Sequence, residues 1–212
     1  MKNKLADMSE TNGSVVNGLK SEIDVVTNMG FALLLKIEDC SQCVDKMETF
    51  ITEHHADEKM VGVGTPGSIP NLFNTLVAEY DSELDFMVDM IKKYAVRFEQ
   101  VCKKIEQEEG KISPTDTITT YIVDLSSNKA VVEFDLNQFM IKAENYMTRL
   151  STYTQSNRII KTESVLKHIQ DKHKIVFAAI EQNKMKLQSA AEVLKRIEQI
   201  ILDFDKKHKP WF

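Results

Sequence analysis

Residues 70–109 read PNLFNTLVAEYDSELDFMVDMIKKYAVRFEQVCKKIEQEE. Within them Phe73, Val77, Tyr80, Leu84, Met87, Ile91, Tyr94, Phe98, Val101 and Ile105 recur in alternating steps of four and three. A mean step of 3.5 lays one apolar stripe along a helix, and a stripe of that kind must be covered by partner helices. This stretch decides the fold class, because a strand would need a period of two.

Upstream the same pattern runs through Val16, Leu19, Ile23, Val26, Gly30, Leu33, Ile37, Cys40, Val44, Met47 and Ile51, with Gly30 the one weak position. Between the two runs, Gly62, Gly64, Pro66 and Gly67 mark a loop, and Pro70 suits a helical first turn. Downstream, Gly110 and Pro114 close the second helix. A third stripe passes through Ile118, Ile122, Leu125, Lys129, Val132, Leu136, Phe139, Ala143, Tyr146, Leu150 and Tyr153, where Lys129 is out of character. Residues 117–136 are also rich in β-branched side chains around Ser126-Ser127-Asn128-Lys129, so a small β-hairpin there is the alternative reading. After a phase break at 154–157, a fourth stripe reads Leu166, Ile169, His173, Val176, Ile180, Asn183, Leu187, Ala190, Leu194, Ile197, Ile201 and Phe204.

The expected fold is therefore all-α: an elongated antiparallel bundle of about four long coiled-coil-like helices. The helices are placed at about 15–53, 70–109, 116–154 and 158–207. A Gly-rich loop covers 56–69, a frayed segment covers 1–14, and one bundle domain spans 15–212. Short connections make sequential helices antiparallel neighbours.

Bulk composition agrees. The chain has 212 residues, 42% apolar and 28% charged, with 7 Gly and 4 Pro. So little turn chemistry argues against a sandwich. The formal charge is −5, and the mildly acidic balance argues against nucleic acid as a partner. The first ten residues lack an apolar signal-peptide core, and three cysteines is an odd, low number. A cytoplasmic location is expected. No apolar run approaches the roughly 18 residues of a membrane span.

Motifs that carry chemistry are sparse. Gly62-Val63-Gly64-Thr65-Pro66-Gly67 spells G-x-G-x-x-G, but a helix precedes it rather than the strand a dinucleotide fold requires. Cys40 and Cys43 form a C-x-x-C with His54 and His55 beyond it. Two thiols at i and i+3 share a helix face, which makes them the candidate metal ligands. Against that, Cys40 occupies a stripe position and His54 lies about 16 Å along a continuous helix from Cys43. No Glu-x-x-His pair of the di-iron type occurs. The expectation is a non-enzymatic protein without cofactor.

What remains are apolar residues off the stripes: Phe31 and Leu35 on the first helix, Phe86 on the second, Phe134 and Ile141 on the third. With Trp211 and Phe212 of the tail they are the candidate partner-binding residues. The expected role is a protein–protein interaction module, a rod-like scaffold or adaptor subunit in a homo- or hetero-oligomer. A second reading is binding to an anionic membrane. Residues 158–212 hold 12 basic and 7 acidic residues, +5, which leaves −10 for 1–157.

Overall fold

The computed structural model describes the backbone of residues 2–54, 69–115, 117–157 and 163–208, with side chains described for 16–54, 71–115, 117–152 and 165–207. Among these residues there are five α-helices and no strand: α1 (Lys2–His54), α2 (Ile69–Glu108), α3 (Ile118–Asn157), α4 (Glu163–Ala190) and α5 (Glu192–His208). The chain is all-α. A 3-10 turn at Glu109–Lys111 closes α2, where Gly110 was expected to end it. The helix of α1 begins at Lys2, within the segment expected to be frayed. The Gly-rich segment, including G-x-G-x-x-G and His55, lies outside the described residues, as do Trp211 and Phe212.

The hairpin alternative for 117–136 is not what forms. Ile118, Ile122, Leu125, Val132 and Leu136 are all buried, whereas Val123 and Val131 are exposed. Burial at steps of three and four follows a helix. Covering that stripe outweighs the local β propensity of branched side chains. The stripe itself needs one correction. Lys129 is half-buried, and the core position belongs to Asn128. The expected single helix 158–207 is likewise interrupted at Ala191. The Ala191 amide still donates to the Leu187 carbonyl (3.0 Å), and the Lys195 amide to the Ala191 carbonyl (3.2 Å). The irregularity is thus local. It moves the buried position from Ala190, which is half-buried, to Ala191.

All ten stripe residues of α2 are buried. Large side chains such as Tyr80, Leu84, Met87, Tyr94 and Phe98 show no exposure at all. Removing one such side chain from water contributes about 1.5–3 kcal/mol.

The helices assemble into two compact units. The first contains residues 1–32, 92–132 and 183–212; the second contains 33–91 and 133–182. In the second unit, α1 runs antiparallel to α2, joined by Lys36–Glu83 (2.6 Å) and Lys46–Glu79 (2.6 Å). On its other flank α1 lies beside α3, joined by Asp45–Lys142 (2.7 Å) and by Glu48–Arg149. Both sequences ascend together there, so α1 and α3 are parallel. The pairs Asp81–His168 and Asp85–Lys172 (2.6 Å) put α4 parallel to α2. The first unit repeats the scheme. Glu22–Lys104 (2.5 Å) joins α1 to α2, Lys20 and Thr117 join α1 to the start of α3, and Arg196 bridges Glu106 (3.0 Å) and Glu109 (3.1 Å) from α5 to α2. Each exposed pair is worth at most about 1 kcal/mol, so these bonds mark neighbours rather than explain stability.

Candidate interaction surface

Cys40 and Cys43 sit where a helix puts i and i+3, on the inner side of α1. Both are buried and unbridged. Burial pushes the Cys40 thiol up to about 12 and raises Cys43 as well. Ligation needs the thiolate, which this environment disfavours. The Cys43 thiol faces Glu79 Oε1 at 3.9 Å. His54 packs against Phe50 at the end of α1, with tilted rings whose centroids lie 4.6 Å apart. Among the described residues no three His, Cys, Asp or Glu side chains gather as a metal site would require.

Polar side chains do enter the cores: Asn128 and Asn183 are buried in the first unit and His173 in the second. In the second unit the Tyr80 hydroxyl and His173 Nε2 are hydrogen-bonded at 2.7 Å, and the rings meet edge to face. The other face of His173 stacks on Phe177, at 5.4 Å between centroids. His173 Nδ1 is buried without a partner, and burial lowers its pKa to about 4. In the first unit the Tyr94 hydroxyl donates to Asn128 Oδ1 at 3.1 Å. Asn128 lies against Gly30, where a Cβ would come within 2.7 Å of its Cγ. Asn128 is the residue sequence reasoning missed. The available signals were Gly30 on an apolar stripe and the ill-fitting Lys129 one residue along.

The off-stripe apolar residues are exposed: Leu35 71%, Phe134 61%, Phe31 and Phe86 55%, Ile141 52%. They do not form one seam. Phe86 lies towards α1, with the Lys36 ammonium 5.1 Å from its ring centre. Phe31 belongs to the first unit and the others to the second. Ile141 borders a groove between α1 and α3. Phe134 stands seven residues earlier on the same helix, and a spacing of seven returns to nearly the same face. Leu35 lies one turn before Glu38, which also borders the groove.

The groove has a volume of about 430 Å³. Leu34, Ile37, Phe139 and Tyr146 supply its apolar surface, and the carboxylates Glu38 and Asp135 border it. Its two cations are already engaged, Lys142 by Asp45 and Arg149 by Glu48. The sequence segments of the second unit carry 10 basic and 18 acidic residues, −8, and those of the first 17 and 14, +3.

At least two of the twelve basic residues of the C-terminal quarter are paired with carboxylates of other elements. Lys172 faces Asp85, and Arg196 faces Glu106 and Glu109. Among the described residues no helix is long and apolar enough to cross a membrane. The chain matches no family model, no curated protein and no solved structure.

Proposed function

We propose that the chain is a protein–protein interaction module that binds through the outer face of α1 and α3 in its second unit. One observation carries this reading: Phe134 and Ile141 stand exposed two turns apart on one face of α3, and Ile141 borders a groove whose lining includes Leu34, Ile37, Phe139 and Tyr146. Isolated exposed apolar residues are ordinary, but apolar residues at heptad spacing beside a groove offer the anchors by which a helix docks. Leu35 extends the apolar area across α1. A scaffold or adaptor role would use this face to hold another chain.

The test is the mass of the assembly formed by the full chain in its native extract, measured by light scattering and cross-linking mass spectrometry. The chain is expected in particles heavier than 24.3 kDa, with cross-links clustered around Phe134–Ile141. The triple variant Leu35→Ser, Phe134→Ser, Ile141→Ser should fold and lose them. A strictly monomeric chain, or cross-links that survive the triple variant, would refute the proposal.

A further inference from the structure

We infer that the α1–α3 groove of the second unit receives a basic amphipathic helix from a partner protein. This rests on the interaction reading above and names the chemistry of the partner.

Length comes first. The bordering residues run from Leu34 to Glu48 on α1 and from Asp135 to Arg149 on α3. Each span is about 21 Å, or four helical turns. The helices α1 and α3 lie side by side, and the groove between them offers a trough in which a third helix can lie. Phe134 and Ile141 are spaced by seven, the repeat that a partner helix presents along its own apolar stripe.

Charge then selects the partner. Lys142 and Arg149 already hold carboxylates of α1, so neither is left to attract an acidic ligand. Glu38 accepts a hydrogen bond from the neutral Gln42 side chain, and Asp135 stands on the opposite bank. The surrounding unit carries −8. An anionic lipid surface or an acidic helix would be repelled, whereas lysines or arginines flanking an apolar stripe would meet both banks. Complementary charge of this kind raises the association rate and excludes wrong partners.

The probe is a fluorescein-labelled peptide of about fifteen residues, four turns, with leucine at helical spacing and lysine elsewhere. Its counterpart carries glutamate in place of lysine. Fluorescence anisotropy is read with the full chain at low and raised salt. The lysine peptide should bind at least about tenfold more tightly than the glutamate peptide and weaken as salt screens the groove. Ile141→Ser and Asp135→Lys should each reduce its affinity about fivefold or more, while Phe86→Ser, on the α2 side of α1, should not. Circular dichroism must show equal helicity in all four proteins. Equal binding of both peptides, an equal loss in Phe86→Ser, or no binding of the lysine peptide overturns the inference. Cross-links at Phe134–Ile141 in native assemblies without binding of the lysine peptide would leave the interaction reading standing and remove the basic helix. Lysine-peptide binding by a chain that is monomeric in its extract would do the reverse.

Discussion

Of the two buried asparagines among the described residues of the first unit, Asn128 faces a glycine; in the second unit a buried histidine faces a tyrosine. Asn128 is uncharged at any ordinary pH. It obtains its space because Gly30 has no side chain, and it receives one hydrogen bond from Tyr94. His173 obtains its place by a hydrogen bond to Tyr80 and by two ring contacts, and it must stay neutral to remain there. One unit has traded volume for a polar group, the other has traded protonation. Buried polar residues of this kind fix alignment in helical bundles, because a slipped register leaves them unpaired. The two units should therefore fail under different insults.

Acid should separate them most. The folded pKa of His173 is about 4, below the ordinary 6.5, because burial disfavours the imidazolium; only Asp81 opposes the shift. A depressed folded value means that the unfolded chain binds the proton first. The stabilisation is complete above pH 6.5 and is lost as pH falls from there to 4, amounting to about 3 kcal/mol at most. His173→Gln should flatten the stability curve over that window, read by thermal melts. Buried cysteines report by location, so a thiol reagent active in acid should label Cys40 and Cys43 earlier than Cys102 as pH falls. Simultaneous labelling of all three, or an unchanged curve in His173→Gln, would contradict the contrast.

Crowding should act on the other unit. Gly30→Ala places a methyl on the Asn128 carboxamide, and the expected cost is about 2 kcal/mol, within the usual range for overpacking. Asn128→Ala in the same chain should recover more than half of it, since the clash is with that side chain alone. If the double variant is as destabilised as the two single losses added together, the glycine is not there for the asparagine.

The smallest effects concern the tyrosine hydroxyls. Tyr80→Phe and Tyr94→Phe should each cost about 1 kcal/mol, the value of a buried hydrogen bond. Tyr146 is buried too, and its hydroxyl has no partner. Tyr146→Phe should be neutral or slightly stabilising in a denaturant melt. A loss matching the other two would mean that its hydroxyl is bonded in solution.

Much of this was legible in residue spacing. The α2 stripe needed no revision, because every stripe residue there is apolar or aromatic and helical period alone assigns it. The stripe of α3 went astray where period cannot decide. Asn128 and Lys129 are both polar, and the choice between them depends on what lies across the core. The glycine that makes room is about a hundred residues away, so no local pattern reveals it. The same limit applies to Ala190 and Ala191, two identical residues one step apart. The exposed residues Phe134 and Ile141 were visible because they leave the stripe. Their groove was not, since heptads state that a helix has partners without saying which ones. Nothing in the sequence places α3 beside α1.

That placement has a consequence for how the chain finds its fold. The bonds between α1 and α3 join residues 97 to 101 apart, and those between α2 and the last two helices join residues 87 to 93 apart. Closing a loop of that length costs about 4 kcal/mol of chain entropy, against about 2 for a ten-residue connection. In a bundle whose sequential helices are its only neighbours, most contacts are local and folding is correspondingly quick. In the second unit the α1–α2 bonds join residues 33 and 47 apart, but in the first the Glu22–Lys104 pair joins residues 82 apart, so that seam too waits for distant segments to meet. The all-α composition therefore conceals a search through distant contacts, in which the α1–α2 pairs of the second unit are among the least costly to close.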